Sequence, residues 1–173
     1  MTIKTIFLDR DGVINKEKNY LFRIEDFDFI DGVFSACKYF TKLGYKIIIV
    51  TNQSGISKGY YSSKDYENVT RWMIKQFKSK KIEILDVFYC PHSPEDSCKC
   101  RKPLPGMLLD AKKKYSIDMK NSWVIGDKEA DIIAGRDSGI SNTILVRSGH
   151  KIDQLNSKAK FILNSIQDSL KVI

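Results

Sequence analysis

The chain has few of the features that mark secreted, membrane-bound or disulfide-linked proteins. Its 173 residues include only four cysteines and two histidines. No stretch approaches the roughly 20 consecutive apolar residues of a membrane-spanning helix. The first residues, Met1 to Lys4, lead into a predicted strand rather than into an apolar leader segment. We therefore expect a cytoplasmic protein that forms no disulfides and makes no membrane contact.

The composition is that of one globular domain with a basic surface. A hydrophobic content of 42% and a charged content of 29% are ordinary for a soluble protein, so residues 1–173 are treated as a single domain. The net charge of +8 permits binding of nucleic acid or attraction of small anions. Because the basic residues are scattered, with no aromatic-interleaved basic stripe, no nucleic-acid partner is expected. A monomer is the default, since no exposed apolar stripe is evident.

Strand and helix patterns alternate along the chain. Apolar and β-branched runs predict strands at 5–8, 46–50, 84–89, 122–125 and 143–146, with a short sixth at 161–163. Helical patterns lie between them at 32–43, 63–80, 105–115 and 129–138. Repeated βα units predict an α/β fold with a doubly wound, mostly parallel, Rossmann-like sheet and helices on both faces. No insertion is long enough to form a large cap domain.

Two aspartates directly follow the first predicted strand. If Ile6–Leu8 is a strand, its pleat sends Asp9 and Asp11 to one side. Arg10 then points to the other side, and Gly12 lets the chain turn away. Carboxylates at this edge of an open α/β sheet can hold a hard cation and still supply one nucleophile and one proton carrier. Taken alone, the segment would equally suit an ordinary acidic turn.

Three further polar motifs follow later strands. Thr51–Gly55 offers hydroxyl, amide and backbone N–H groups that suit a phosphoryl oxygen. The cations of Arg101–Pro103 would neutralise phosphoryl charge. Asp127 can complete an oxygen-rich cation site with the first aspartate. Two interpretations of Asp131 stay open. It holds a metal-bound water or orients Lys128, or its negative charge simply stabilises the N-terminus of the following helix.

Three of the four cysteines cluster with a histidine. Cys90 and His92 are two residues apart, as are Cys98 and Cys100. This spacing allows both members of a pair to bind the same ion, so the two pairs together can supply four ligands. A set of three thiolates and one imidazole leaves no position for a catalytic water, which indicates structural Zn²⁺ rather than a redox or catalytic centre. Bound zinc would clamp the adjoining loop that carries the basic motif.

The four strand-end motifs, in this order, resemble those of the haloacid dehalogenase-like hydrolase superfamily. The resemblance implies that Asp9 attacks phosphorus and forms an aspartyl-phosphate. It implies that Asp11 protonates the leaving alcohol and then activates the hydrolytic water. Thr51 and Lys102 would hold the transferring phosphoryl group. Mg²⁺ would be bound by Asp9, the backbone carbonyl of Asp11, and Asp127.

The whole chain is similar to the bacterial D-glycero-D-manno-heptose 1,7-bisphosphate 7-phosphatases. The matching stretches are 9–15, Tyr20, 29–33, 51–56, 90–92, 98–103, 105–108 and 126–128. The resemblance implies Mg²⁺-dependent removal of the 7-phosphate of this sugar, on the route to nucleotide-activated heptose for lipopolysaccharide or another surface glycan. The implied substrate-binding residues are Glu17, Lys18, Asn19, Tyr20, Asn52, Gln53, Ser54, Arg101 and Lys128. Where family members often carry glycine, Asn19 can adopt the same left-handed turn.

Two other functions stay open at this point. Histidinol-phosphate phosphatases share the Asp-Arg-Asp-Gly motif and the Cys/His loop, but their substrate carries an ammonium group. They typically have an acidic residue where Ser54 stands, whereas a neutral Ser54 beside Arg101 and Lys128 suits a second phosphate. The second alternative is a zinc-stabilised binding module without catalysis, in which the net charge of +8 would serve to bind the partner. Neither the preferred anomer nor the balance between hydrolysis and phosphoryl transfer can be read from the sequence.

Overall fold

The structure, a computed structural model, describes residues 2–173. Its sheet has six strands, namely β1 (Thr5–Leu8), β2 (Lys46–Asn52), β3 (Asp86–Cys90), β4 (Trp123–Gly126), β5 (Asn142–Val146) and β6 (Phe161–Leu163). All neighbouring pairs are parallel, in the order β3-β2-β1-β4-β5-β6, which confirms the doubly wound fold. The chain changes direction across the sheet at β1, and ligands bind at the carboxyl ends of strands beside such a switch point.

Helices cover both faces of the sheet, as predicted. They are α1 (Val33–Lys42), α2 (Ser63–Ser79), α3 (Gly106–Tyr115) and α4 (Glu129–Asp137). Ile6 and Leu8 pack with α1 and α2 in one apolar cluster, whereas Phe7 packs with α3 and α4 in another. This division follows from the pleat, which sends alternate side chains of a strand to opposite faces. α2 begins directly after Ser62, which forms a reciprocal capping box with Asp65.

The predicted boundaries of these strands and helices agree with the structure to within two residues. Three short 3₁₀ helices, at Ile24–Asp26, Pro94–Asp96 and Ile166–Lys171, were not predicted, because one helical turn leaves little periodic signal. The connection between β1 and α1 folds back on itself, since Lys16 N–H donates to Asp28 O at 2.8 Å and Ile30 N–H to Ile14 O at 2.9 Å. Residues 2–173 thus contain no large cap domain, and they contain no helix that could cross a membrane.

Candidate active site

The first aspartate lies where β1 ends. Asp9 N–H donates to Ile125 O at 3.0 Å, so the backbone stays paired with β4 for one more residue. The chain then leaves the sheet and turns at Gly12, which has a φ of 85°. Asp9 and Asp11 both line the resulting crevice, as predicted. The buried Arg10 does not line this crevice, and its guanidinium contacts Asp11 at 3.0 Å.

Lys102 reaches Asp9 from the loop that follows β3. Its Nζ lies 3.1 Å from Asp9 Oδ1 and 2.6 Å from Asp131 Oδ1, and it donates to Val50 O at 2.6 Å. Burial lowers the pKa of Lys102, but the two carboxylates outweigh burial and hold it above its usual value. The lysine is therefore a permanent cation beside the predicted nucleophile, in a site where water screens charge poorly.

Burial raises the pKa of Asp9 well above its usual range. Lys102 opposes this rise, and the carboxylates of Asp131, Asp127 and Asp11 add to it. A carboxylate in such surroundings needs further positive charge to stay ionised. A divalent cation supplies that charge, so the electrostatics of the cluster fit a metal site.

Asp131 does two things in the structure. Its Oδ2 accepts from Lys128 N–H at 3.0 Å and so caps α4, while its Oδ1 pairs with Lys102. A Cβ at Gly126 would collide with the Asp131 carboxylate, so glycine at this position permits the close approach. The sequence pattern indicated the capping role, but the ion pair with Lys102 was not predicted.

Asp11 is held by donors on several sides. Arg10 Nη2 lies 3.0 Å from both of its oxygens, Asn15 Nδ2 donates at 3.0 Å, and Gln53 Nε2 donates at 3.1 Å. Burial raises the pKa of Asp11, but the charge of Arg10 and these hydrogen bonds more than offset burial and lower it. The resting form is therefore the carboxylate, which is the form that accepts a proton.

In the predicted phosphoryl-binding motif, Thr51–Gly55, several side chains hold other residues of the site in place. Thr51 is buried, and its Oγ1 accepts from Gln53 Nε2 at 2.8 Å. Asn52 holds the peptide of Lys102 on both sides, accepting from its N–H at 3.1 Å and donating to its carbonyl at 3.0 Å. Tyr61 Oη donates to Gln53 Oε1 at 2.6 Å. These contacts fix the lysine and Asp11 before any substrate arrives.

A cavity of about 370 Å³ opens over this cluster. Its lining includes eight of the nine predicted substrate-binding residues, namely Glu17, Asn19, Tyr20, Asn52, Gln53, Ser54, Arg101 and Lys128. The ninth, Lys18, does not line the cavity, and its ammonium pairs with Asp28 at 2.7 Å. Asn19 adopts the predicted left-handed conformation, with a φ of 52°.

The predicted zinc ligands converge at the end of β3. Cys90 Sγ lies 3.6 Å from both Cys98 Sγ and His92 Nδ1, and 2.8 Å from Cys100 Sγ, while His92 Nδ1 lies 3.4 Å from Cys100 Sγ. Ligands of a tetrahedral zinc with bonds of about 2.3 Å lie roughly 3.8 Å apart. Three of these distances are close to that value and the Cys90–Cys100 distance is shorter, while all four donor atoms lie within 4.8 Å of one another, so the residue types and their convergence fit the ion. The cluster also adjoins the cavity, since Arg101 Nη1 donates to His92 O at 3.1 Å.

Two of the three predicted magnesium ligands, Asp9 and Asp127, converge with Asp131, which was not predicted as a ligand. Carboxylate oxygens of Asp9, Asp127 and Asp131 lie within 4.8 Å of one another. Asp127 is fully buried, and its Oδ1 has no hydrogen-bond partner within residues 2–173. A buried carboxylate oxygen is costly without a partner, and a hard cation is the partner that an oxygen-rich site accepts. The residues therefore fit Mg²⁺.

Comparison with known proteins decides the family. A family model described as HAD-hydrolase-like matches residues 99–169. The chain is 49% identical over 164 residues to the D-glycero-alpha-D-manno-heptose-1,7-bisphosphate 7-phosphatase of Photorhabdus laumondii, covering 91% of this chain and 90% of that protein. It is 41% identical over 177 residues to the D-glycero-beta-D-manno-heptose-1,7-bisphosphate 7-phosphatase of Pasteurella multocida, covering 98% and 96%. The chain belongs to the heptose-1,7-bisphosphate 7-phosphatase family.

A solved structure agrees with this family membership. The D,D-heptose 1,7-bisphosphate phosphatase from B. bronchiseptica, in complex with magnesium and phosphate, matches with a TM-score of 0.87 and 25% identity, covering 98% of this chain and 97% of that one. The predicted resemblance is confirmed, and the chain is a phosphatase of the HAD-like hydrolase class. The magnesium in the B. bronchiseptica enzyme accords with the carboxylate cluster found in this chain.

Two residues that line the cavity of this heptose-bisphosphate phosphatase family member were not predicted from the sequence. Lys58 lines the cavity, and its Nζ donates to Tyr20 Oη at 2.9 Å. His150, to which no role was given, also lines the cavity and contacts Asp127 at 2.6 Å. His150 follows β5, whose carboxyl end lies at the same sheet edge as the other motifs. This position after a strand was the sequence feature from which His150 could have been predicted. No local sequence pattern indicates that Lys58 lines the cavity.

Proposed function

We propose that this chain is a Mg²⁺-dependent phosphatase that removes the 7-phosphate of D-glycero-D-manno-heptose 1,7-bisphosphate. The observation that carries this proposal is one cavity whose lining contains four cationic side chains. At its base Lys102 lies beside Asp9, and its lining also contains Lys58, Arg101 and Lys128. A sugar with a phosphate at each end would place one phosphate on the nucleophile and the other among the outer cations.

Asp9 is the proposed nucleophile. Its Oδ1 accepts from Arg10 N–H at 2.8 Å and contacts Lys102 Nζ at 3.1 Å, which fixes the carboxylate and leaves Oδ2 to attack phosphorus. The resulting aspartyl-phosphate divides one difficult hydrolysis into two easier steps. Asp9, Asp127 and the Asp11 carbonyl would hold Mg²⁺, whose charge would offset repulsion between the phosphate and the carboxylate.

Asp11 is the proposed proton carrier. It binds a proton to protonate the leaving alcohol, and its carboxylate then takes a proton from the water that attacks the aspartyl-phosphate. Arg10, Asn15 and Gln53 favour the ionised form, which suits the second step directly. We expect the approaching phosphate anion to favour protonation of Asp11 for the first step, because like charges raise the pKa of a carboxyl group. Thr51 and Lys102 would hold the phosphoryl group.

Arg101→Ala is expected to raise KM by about 10- to 100-fold, because a hydrogen bond to a charged group contributes roughly 1.5–3 kcal/mol. The change in kcat should be smaller, since Arg101 lines the cavity but makes no contact with Asp9 or Lys102 among the interactions described. Steady-state kinetics with the bisphosphate measure both constants. Arg71→Ala, which changes an exposed arginine of α2, is the matched control. Equal losses in kcat and kcat/KM would instead assign Arg101 to the transition state.

We further propose that Cys90, His92, Cys98 and Cys100 hold a structural Zn²⁺. Purified protein should contain about one zinc per chain, and Cys98→Ser should lower this content because a closed site needs four ligands. The variant should also raise KM, since Arg101 is anchored on the carbonyl of His92. Cys37→Ala changes the cysteine in the core and should keep its zinc. Full zinc occupancy in Cys98→Ser, measured by elemental analysis, would contradict the assignment.

The substrate is tested by phosphate release with Mg²⁺ from a defined panel. The panel contains both anomers of heptose 1,7-bisphosphate, heptose 7-phosphate, fructose 1,6-bisphosphate and histidinol phosphate. We expect a heptose bisphosphate to be preferred, and heptose 7-phosphate to be poorer by about 10-fold or more because it lacks the second charged contact. A preference for histidinol phosphate would show that the proposed substrate is wrong but would leave the proposed reaction mechanism unchanged. No release from any compound would favour the binding-module alternative.

We propose the α-anomer as the better substrate. Two relatives named for the α-anomer share 49% and 47% identity with this chain, whereas relatives named for the β-anomer share 38% to 43%. We also propose that residues 1–173 act as one domain and as a monomer in the cytoplasm. One continuous sheet from Thr5 to Leu163 supports the single domain.

A further inference from the structure

His150 contacts the carboxylate of Asp127 twice. Its Nδ1 lies 2.6 Å from Asp127 Oδ2, and its backbone N–H donates to the same oxygen at 2.9 Å. An ionised carboxylate only accepts hydrogen bonds, so Nδ1 carries the hydrogen in this contact. The other ring nitrogen, Nε2, faces Glu17 across 3.9 Å.

The loop that carries His150 is fixed by its own backbone contacts. Ser148 Oγ donates to Gly12 O at 2.7 Å, which ties the end of β5 to the turn after β1. A Cβ at Gly149 would collide with both Asp127 and Gly12, so this close approach requires glycine. The imidazole is therefore placed over Asp127 by a packed loop and does not depend on a long flexible side chain.

The two contacts leave the Asp127 oxygens in different environments. Oδ2 is occupied by both hydrogen bonds from His150, whereas the buried Oδ1 has no partner within residues 2–173. We propose that His150 is a positioning residue that locks Asp127 with Oδ1 directed to the cation. This inference rests on the proposed function in one respect, the binding of Mg²⁺ by Asp9 and Asp127. Donors behind a ligand commonly orient it in this way.

The test is direct titration of the substrate-free protein with Mg²⁺ by calorimetry. His150→Ala should weaken Mg²⁺ binding by about 10- to 100-fold, the usual cost of removing a partner of a metal ligand. His150→Asn should bind nearly as tightly as the parent, because the asparagine Nδ2 can donate from the position of Nδ1. Lys151→Ala, which changes the exposed neighbour, should bind like the parent. Unfolding midpoints should match, since the side chain of His150 is 38% exposed.

Unchanged or tighter Mg²⁺ binding by His150→Ala would overturn the proposal, as would an equal loss in His150→Asn. At saturating Mg²⁺ we expect His150→Ala to retain the KM of the parent for the bisphosphate, because the residue acts through the metal ligand. An increased KM with unchanged Mg²⁺ affinity would make His150 a substrate contact instead. Failure of the parent itself to bind Mg²⁺ would count against the proposed metal chemistry and, with it, against this role.

Discussion

Asp9→Asn is expected to abolish phosphate release, with kcat falling by about 10⁴-fold or more, as losses of catalytic nucleophiles do. An amide does not form the acyl-phosphate, and none of the other carboxylates can replace it. Asp11 is turned toward Arg10, and Asp131 pairs with Lys102. Phosphate release under saturating Mg²⁺ and bisphosphate measures the effect. Residual activity within about tenfold of the parent would exclude Asp9 as the nucleophile.

The same substitution should not destabilise the protein. Burial and neighbouring carboxylates raise the pKa of Asp9, so its ionised form is unfavourable in the metal-free fold. We expect the metal-free unfolding midpoint of Asp9→Asn to equal or exceed that of the parent, since Lys102 keeps its partner Asp131. Asp110→Asn, an exposed change on α3, controls for the loss of one charge. A lower midpoint would show that Asp9 contributes to folding as well as to catalysis.

Lys102→Met is expected to lose both activity and stability. The ammonium is buried between Asp9 and Asp131, and removing one partner of a buried ion pair costs about 3–5 kcal/mol in the free energy of unfolding. Loss of the cation that faces the transferring phosphoryl group should lower kcat by about 10³-fold, on the scale of other losses of transition-state charge stabilisation. Chemical denaturation and steady-state kinetics measure the two effects.

A second substitution separates these two effects of Lys102. Adding Asp131→Asn to Lys102→Met removes one of the two carboxylates left without a partner, so we expect stability to recover in part while kcat stays low. Lys112→Met, at an exposed lysine of α3, should leave both quantities unchanged. Recovery of activity together with stability would show that Lys102 serves only to hold the fold together.

The reactive residues could be predicted because their positions follow from the strands. Asp9 and Asp127 directly follow β1 and β4, Thr51 is the penultimate residue of β2, and a parallel sheet brings the carboxyl ends of its strands to one edge. Cys90 and Cys100 lie in one short segment, so their spacing alone indicated a closed metal site. The local sequence was therefore sufficient to predict where a residue lies when that residue stands at the end of a strand.

The supporting contacts could not be predicted, because they join residues that are distant in sequence. Asn52 holds the Lys102 peptide across 50 positions, and His150 reaches Asp127 across 23. Such contacts depend on the path of each loop and on side-chain rotamers, which periodic patterns do not specify. The pairing of Lys18 with Asp28 has the same cause, since it follows from how the segment folds back.

The most direct test is single-turnover quenching with a heptose 1,7-bisphosphate whose 7-phosphate carries a radioactive label. The proposal predicts transient label on the protein, located at Asp9 after proteolysis, followed by labelled inorganic phosphate. Asp9→Asn should bind the sugar and take up no label. Unlabelled phosphate released from position 1, or release of labelled phosphate without a covalent protein intermediate, would contradict the proposed chemistry at Asp9.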